Sequence, residues 1–422
     1  MNYENITLTH FSAGDVINTT GGTMENGTVT SPDTLSAEMK TFYDKTLITL
    51  AGANLIHEQF GQKRPIPKNG GKTIEFRKFS KLPKALKPIT EGVTPAGNKL
   101  NVTAVTATVD QYGDYVEQTD MLELTAIDNT IVEATKELSS QAGLTLDTIV
   151  RNELVAGTNV MYAPEVKDGK ETEILSRGDI NKYCKLRVKD IFKAAAELKA
   201  VNAPKIDGSY VAVIHPYVAY DLMQEAGDQW IGIQKYANPE NILKGEIGSL
   251  GGVRFVESTE AKIFGPKIIN ENISRLTVSA SSDSTVTSVS VEEDMGSKTF
   301  ETPVKVFVAG KENTIRAVNG NTVTLGTAVK VNAGDIICGD GAGKDGSAVF
   351  CTLFIAENAY GVTDIEGGGL EHIVKQRGYG NDPLNQRSSV GWKATKVAKR
   401  LLEEYMIRFE SGSEFSDTAN SN

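Results

Sequence analysis

The clearest pattern along the chain is a strict alternation of apolar and polar residues in two segments, residues 72–79 and 102–109. Successive side chains of a strand point to opposite faces, so this period of two predicts two half-exposed β-strands. The long stretch between them contains Pro83, Pro88 and Pro95. A loop of this length is uncommon inside a compact domain. The pattern therefore predicts an extended hairpin that projects from the body.

A second pattern, with apolar residues three or four positions apart, begins at Thr130 and continues towards Leu154. This spacing places the apolar side chains on one face of a helix. Thr130 and Glu133 match a capping box, in which the two side chains satisfy exposed backbone amides. Gly157 is expected to end the helix in a left-handed conformation. The predicted helix is roughly 40 Å long.

After residue 188 the chain alternates between helical and strand patterns. Helices are predicted at 191–201 and 216–225, and buried strands at 210–214, 253–257 and 349–355. This order is typical of an α/β or α+β module. Residues 274–346 are instead rich in Ser, Thr, Val and Gly, with turn signals around Gly320 and Gly334. They predict a small all-β domain inserted into the module.

The two ends of the chain lack these periodicities. Residues 1–30 are rich in Asn, Thr and Gly, and are expected to form a loosely ordered arm. A helix is predicted to begin at Ser31, with Pro32 in its first position. Residues 388–410 are strand-prone, and the polar residues 411–422 (SGSEFSDTANSN) are expected to be frayed.

The composition, with 40% hydrophobic and 23% charged residues among 422, is that of a soluble protein. No apolar run is long enough to span a bilayer, and the first residues do not resemble a signal peptide, so no membrane partner is expected. Synthesis in a cytoplasm is the default expectation. Cys184, Cys338 and Cys351 lack a zinc-binding spacing and are expected to be buried free thiols.

The charge is unevenly distributed along the chain. Residues 62–99 contain ten Lys or Arg and two acids, whereas residues 110–137 contain eight acids and one Lys. Such adjacent blocks of opposite sign indicate a positive arm that meets a negative body. Two independently solvated faces would produce the same pattern. The net charge of −10 argues against tight nucleic-acid binding over the whole surface.

The motifs that carry catalytic chemistry are incomplete. His57 and Glu58 start like a zinc-protease motif, but the second histidine is missing. His215 precedes a predicted helix and is interpreted as structural. Residues 341–346 match GxGxxG without a following helix, so a hairpin turn is the better interpretation. We therefore assign no catalytic, cofactor or metal site, and expect that the protein is not an enzyme and needs no cofactor.

Several segments resemble the major capsid proteins of tailed bacteriophages. They are residues 71–74 (GKTI), 86–95 (LKPITEGVTP), 111–113 (QYG) with 119–120 (TD), and 389–394 (SVGWKA) with 406–410 (MIRFE). The resemblance implies an α+β fold of the Hong Kong 97-like capsid type. Its parts are an N-terminal arm, an extended loop, a peripheral domain with a long spine helix, and an axial domain. The inserted small β domain departs from the minimal pattern of that family.

Mapped onto this chain, the resemblance implies seven parts. They are an N-terminal arm and helix at 1–60, the extended loop hairpin at 61–118, the peripheral domain with the spine helix at 119–187, the first part of the axial domain at 188–272, the inserted β domain at 273–347, the second part of the axial domain at 348–385, and closing strands of the peripheral domain with the tail at 386–422.

The resemblance also implies a function and partners. The chain would be a structural subunit of an icosahedral capsid in the virion, assembled in the host bacterial cytoplasm from pentamers and hexamers of itself. Portal and scaffold proteins, a decoration protein, and packaged double-stranded DNA bound through its phosphates would be its other partners. Lys393, Lys396, Lys399 and Arg400 are candidates for the DNA contact, and equally for a solvated surface.

The contact between subunits is predicted from the charge pattern. An extended hairpin has too little core of its own and must lie on another surface. The residues expected at this contact are Lys81, Lys84, Lys87, Pro88 and Glu91 on the hairpin, and Asp110, Asp114 and Glu117 on the neighbouring subunit.

Three alternatives of other classes remain open. A shell protein of a bacterial nanocompartment, similar to an encapsulin, would have the same fold but would need a cargo-docking site. A carbohydrate-binding protein would need an aromatic groove, and residues 274–346 contain only Phe300 and Phe307. A hydrolase would need a carboxylate pair that nothing in the sequence singles out.

Overall fold

The computed structural model describes residues 23–25, 28–31, 55–79, 82, 84–86, 88, 91–92, 94, 97–125, 130–227, 231–232, 245–270, 273–309, 311–375, 384 and 386–422. The chain separates into two compact units, residues 1–52 and 53–422.

The strands of the described residues are numbered in chain order. The first thirteen are β1 (Thr23–Glu25), β2 (Thr28–Ser31), β3 (Gln62–Lys63), β4 (Thr73–Phe79), β5 (Val102–Thr108), β6 (Asp110–Thr119), β7 (Val160–Tyr162), β8 (Glu165–Lys167), β9 (Lys170–Thr172), β10 (Tyr210–Ile214), β11 (Ile231–Gly232), β12 (Glu246–Leu250) and β13 (Val253–Glu257). The others are β14 (Ile263–Phe264), β15 (Arg275–Thr277), β16 (Val286–Ser290), β17 (Ser297–Val308), β18 (Lys311–Asn319), β19 (Thr322–Val329), β20 (Ile336–Gly339), β21 (Val349–Ile355), β22 (Tyr360–Thr363), β23 (Glu371–Lys375), β24 (Arg387–Arg400) and β25 (Met406–Ser411).

The α-helices of the described residues are α1 (Asp120–Thr125), α2 (Thr130–Val155), α3 (Val188–Ala200) and α4 (Pro216–Ala226).

The first unit contributes one described element, an antiparallel pair of β1 and β2. The sequence predicted no strand in residues 1–30, so this short hairpin is a correction to that expectation. The helix predicted to begin at Ser31 falls on residues outside the described part of the chain, and Ser31 itself ends β2.

The second unit is built around an eight-stranded mixed sheet with the order β11-β12-β13-β10-β21-β25-β7, to which β14 adds by pairing with β21. Strands β10 and β21 are buried along their whole length, as their continuous apolar runs predict. Helices α3 and α4 pack on one face of this sheet. The C-terminal half of α2 and residues 56–60 pack on the other face.

A second sheet lies beside the long helix. Its order is β23-β24-β22-β3, and β6 pairs with β24. Apolar residues of α2 pack across β24, with Leu138, Ala142 and Leu146 against Val390 and Trp392. The strand-prone segment 388–410 therefore divides between two sheets. β24 belongs to this second sheet, and β25 belongs to the eight-stranded sheet. The seven part boundaries implied by the resemblance remain predictions.

The inserted β domain forms a six-stranded antiparallel sheet of order β15-β20-β17-β18-β19-β16. It has an apolar core of its own, formed by residues such as Leu276, Val306 and Ile315. Together with the long helix and the mixed sheets, it confirms the predicted α+β class with a β insertion. The hairpin interpretation of residues 341–346 was wrong: this segment connects β20 to β21, which belong to different sheets.

Helix α2 has the predicted length and apolar face, and its side chains at positions 138, 142, 146, 150 and 154 are buried. Its end differs from the prediction, because Gly157 has no positive φ. Arginines from the end of the chain satisfy the helix end instead. Arg408 donates to the carbonyls of Val155 and Gly157, and Arg400 donates to that of Glu153. Cations at a helix C-terminus satisfy its open carbonyls and complement the helix dipole.

The prediction that residues 411–422 are frayed was also wrong. Ser411 and Ser413 are fully buried, and hydrogen bonds hold the segment at Ser413, at Asp417 and at Asn422. Its polar composition suggested a solvated end. Its side chains and carbonyls instead bond to backbone groups and charges that the rest of the fold brings to it.

Candidate interaction surface

The extended hairpin predicted from the alternating segments is present. β4 and β5 pair in an antiparallel register that runs from Thr73 opposite Thr108 to Phe79 opposite Val102. Beyond these strands the described side chains are exposed, including Leu82, Leu100 and Leu86, which is 82% exposed. Two strands alone cannot bury such residues. The hairpin thus presents apolar side chains that nothing in the described part of this chain covers.

Phe76 anchors the base of the hairpin to the body. Phe76 of β4 is 4% exposed, and its ring lies against Gly361 of β22. A Cβ added at Gly361 would come within 2.6 Å of two atoms of the ring. This glycine therefore forms the space that receives Phe76. Neither residue is unusual in its own segment, so the sequence gives no local signal for this contact.

The pairing of β6 with β24 joins two of the segments that carried the family resemblance. Residues 110–119 pair antiparallel with residues 387–396, so that Tyr112 lies opposite Ala394 and Tyr115 opposite Gly391. A Cβ at Gly391 would come within 2.8 Å of the Cβ of Tyr115. An aromatic side chain beside a cross-strand glycine covers its bare backbone. The two distant motifs are thus one structural unit.

The predicted contact residues are distributed over two places. Lys84, Pro88 and Glu91 are exposed beyond the hairpin strands, and Asp110, Asp114 and Glu117 are exposed on β6. Lys81 and Lys87 lie outside the described residues. Within the described part of one chain, no ion pair joins Lys84 to these three carboxylates, and the contact with a neighbouring subunit stays a prediction.

Asp114 already has partners within its own chain. Its carboxylate accepts a hydrogen bond from Gln141 of α2 at 2.7 Å and from the backbone N–H of Tyr115 at 2.8 Å. The hydrogen bond from Gln141, followed by that from Tyr115, lowers the pKa of this carboxyl group. Asp114 is therefore held in place as an anion on the surface of β6.

A groove of about 650 Å³ runs along the base of the hairpin. Four elements line it: β5, β6 with Asp110 and Tyr112, α2 with Glu153, and β24 with Lys399. Partial burial, followed by the nearby charge of Asp110, raises the pKa of the Tyr112 hydroxyl. The carboxylate of Glu153 is paired with Lys399 at 3.3 Å, and Asp110 adds a second carboxylate to the lining of this groove.

The basic residues considered for DNA contact are each paired with a carboxylate. Lys393 lies 3.0 Å from Glu371, Lys396 2.7 Å from Glu58, Lys399 3.3 Å from Glu153, and Arg400 2.7 Å from Glu403. Lys396 is also buried, so it is not part of a solvated surface. Paired cations attract phosphates less than free ones, which weakens the assignment of this segment to DNA.

The histidines whose side chains are described have structural partners. His57 is fully buried, with its backbone N–H and its Nδ1 bonded to Asp147 at 2.8 and 2.7 Å. The side chain of His215 caps α4 by accepting the backbone N–H of Tyr217. Among the described residues, no group of three or more His, Cys, Asp or Glu could hold a metal ion.

Burial lowers the pKa of His215 to about 4, from an ordinary value of 6.5. The folded protein therefore binds fewer protons than the unfolded chain between these values, and its stability should fall as the pH drops from 6.5 to 4. We expect a loss of roughly 2 kcal/mol over this range, because part of the full effect of the shift falls outside it. Urea unfolding measured across the range would check this. His215→Asn keeps a capping side chain without titrating, and should lack this contribution; the same pH dependence in that variant would contradict the assignment.

The three cysteines are free and buried, as the sequence predicted. Burial raises the pKa of Cys351 to about 12 and that of Cys338 to about 11. Thiols held protonated in this way are poor nucleophiles. Among the described helices, none is both long enough and apolar enough to cross a membrane.

Comparison with known proteins gives matches in structure alone. No protein-family model matches the chain, and neither does any curated protein. The capsid of the cyanophage P-SCSP1u matches with a TM-score of 0.48 and 14% sequence identity, over 92% of this chain and 97% of that chain. The capsid of Ralstonia phage GP4 matches with a TM-score of 0.49 and 13% identity, over 88% of this chain and 90% of that chain. A structure from Gordonia phage Cozz matches with a TM-score of 0.44 and 13% identity, over 97% and 99%.

Proposed function

We propose that this chain is a structural subunit of an icosahedral bacteriophage capsid, a component of the virion that forms a shell from copies of itself. The observation that carries the proposal is the extended hairpin. It is anchored to the body through Phe76, yet carries exposed apolar residues and a block of positive charge beyond that point. Another copy would supply the surface that covers them, and such head-to-tail contacts close into rings.

The finer parts of the proposal follow from the same assembly. Rings of five and six subunits would form the shell in the host cytoplasm, with a portal, a scaffold protein and a decoration protein as partners. The shell would enclose double-stranded DNA and contact its phosphates. A structural, non-enzymatic role agrees with the histidine and cysteine environments described above. The nanocompartment alternative has no specific observation in its favour.

Electron microscopy of the purified protein, combined with light scattering, tests the proposal. Closed particles tens of nanometres across, formed by this chain alone or with the other head proteins of a phage, are the expected result. A chain that stays monomeric at 45 kDa even when those head proteins are co-expressed would contradict it.

Charge reversal on the hairpin tests the proposed contact. Replacing Lys81, Lys84 and Lys87 by Glu should prevent particle formation, because like charges would then face Asp110, Asp114 and Glu117. Exposed pairs contribute only about 0–1 kcal/mol each, so the isolated subunit should keep its thermal midpoint. Particle yield by light scattering and the midpoint by calorimetry are the two measurements.

The matched control for the charge reversal changes Lys193, Lys199 and Lys205 to Glu. These lysines are exposed and lie on α3 or shortly after it, away from the hairpin. The control has the same net charge and should still assemble. Intact shells from the hairpin variant, or equal failure of both variants, would overturn the hairpin contact without bearing on the shell function itself.

A further inference from the structure

The segment 411–422, expected from its composition to be frayed, is held at both of its ends. At its start, Ser411 and Ser413 are fully buried, and the backbone N–H of Gly412 donates to the carbonyl of Cys184. The hydroxyl of Ser413 donates to Asp221 of α4 at 2.7 Å, and the N–H of Glu414 donates to the same carboxylate at 2.9 Å.

The other end of the segment is fastened beside β14. The side-chain carbonyl of Asn422 accepts the backbone N–H of Ile263 at 2.9 Å, and its amide donates to the carbonyl of Ala261 at 2.9 Å. Lys262 donates to the main-chain carbonyl of Asn422. Ser421 lies so close to Gly265 that an added Cβ would come within 3.0 Å of its backbone nitrogen. β14 is the last strand of the eight-stranded sheet before the chain enters the inserted β domain.

Between its two ends, the segment crosses the connections of the inserted β domain. The carbonyl of Asp417 accepts two hydrogen bonds, one from the backbone N–H of Ala348 at 2.8 Å and one from the guanidinium of Arg275 at 3.0 Å. Arg275 begins β15, the first strand of the domain, and also donates to the carbonyl of Gly346. Ala348 lies where the chain returns to the eight-stranded sheet. One carbonyl thus joins the outgoing and the returning connection.

We propose that residues 411–422 act as a strap that fixes the orientation of the inserted β domain on the eight-stranded sheet. The domain has its own apolar core and is attached through two connections, 265–274 and 340–348. A domain joined in this way is expected to rotate about its connections unless other contacts prevent it. The strap supplies such contacts to both connections at once, so the domain should turn more freely when residues 414–422 are released. This inference does not depend on the proposed function.

Hydrogen exchange measured by mass spectrometry tests the strap in the otherwise complete chain. In a variant that stops after Ser413, backbone amides in residues 261–277 and 340–349 should exchange about tenfold faster or more, because the hydrogen bonds that close these connections are lost. Exchange within β17, β18 and α2 should stay as in the complete chain. Unchanged exchange in both connections would overturn the proposal, and so would an increase spread equally over all elements.

Single substitutions keep the test decisive if the shortened chain does not fold. Arg275→Met removes the guanidinium that joins Asp417 to Gly346 while it keeps an unbranched side chain. It should speed exchange in residues 340–349 and in residues 414–422 together. Arg316→Met changes an exposed arginine of β18 in the same domain and should leave both regions unchanged. Equal behaviour of the two variants would contradict the role of Arg275 as the junction of the strap.

Discussion

Replacing Glu410 by Gln is expected to lower the free energy of unfolding by about 3–5 kcal/mol, the usual result of removing one partner from a buried ion pair. Glu410 lies on β25 and is fully buried. Arg177 donates to its two carboxylate oxygens at 2.7 and 2.5 Å. Arg408 lies 2.9 Å from the same carboxylate. A neutral amide would leave both guanidinium groups without their anion at a position that is itself fully buried.

The loss should extend beyond this carboxylate. Arg408 also caps the C-terminus of α2, so its displacement weakens the hold of β25 on the long helix. Chemical denaturation is the measurement, and Glu312→Gln is the matched control. Glu312 forms an ion pair with Lys305 in which both side chains are about two-thirds exposed, and its loss should change stability by less than about 0.5 kcal/mol. Similar small losses in both variants would show that Glu410 is not the centre of a buried network.

Replacing Gly361 by Val should destabilise the protein by about 3 kcal/mol and displace the hairpin base. The added side chain would overlap the Phe76 ring, because a Cβ at residue 361 would already lie 2.6 Å from two of its atoms. Phe76 is only 4% exposed in the native fold, so expelling its ring would also lose the free energy gained by burying it. The measurements are the unfolding free energy and the hydrogen exchange of residues 73–79 and 102–108, which should rise.

A double-mutant cycle separates this contact from general damage to β22. After Phe76→Ala, the ring is gone, and Gly361→Val should add much less than it costs in the native chain. Gly369→Val is the control, because nothing lies within 4 Å of an added Cβ there. Strict additivity of the two changes, or an equally costly Gly369→Val, would contradict the assigned contact. In the proposed shell, the same displacement would also lower particle yield, since the hairpin would leave the body at a different angle.

Local pattern was sufficient where the spacing of apolar residues within one element already indicates its type. The alternation at 72–79 and 102–109 identified the hairpin, and the helical spacing from Thr130 identified α2. The run of buried residues at 349–355 identified β21 in the same way. The alternation and the helical spacing have the period of the element itself, and the continuous apolar run indicates a strand buried on both faces, so each can be read without knowing the partner.

Contacts between distant segments could not be predicted in the same way. Gly361 looks like any strand residue until Phe76 is placed on it. Lys396 and Arg400 look like a basic surface until Glu58 and Glu403 are brought beside them. Gly157 was expected to end α2 by its own conformation, and the arginines that satisfy the helix end come from some 250 residues further along the chain. These partners are chosen by the topology, which a local window does not contain.

The sequence by itself determined the order of the elements, the projecting hairpin, the long helix, the inserted β domain and the opposite charges of the segments at 62–99 and 110–137. These features follow from periodicity and composition, which are properties of a single helix or of one or two neighbouring strands. Only the tertiary structure decided which charges are neutralised, where β25 pairs, what anchors the hairpin and whether residues 411–422 are ordered. A polar segment becomes ordered when distant backbone groups and charges lie within hydrogen-bonding distance, and that depends on the path of the whole chain.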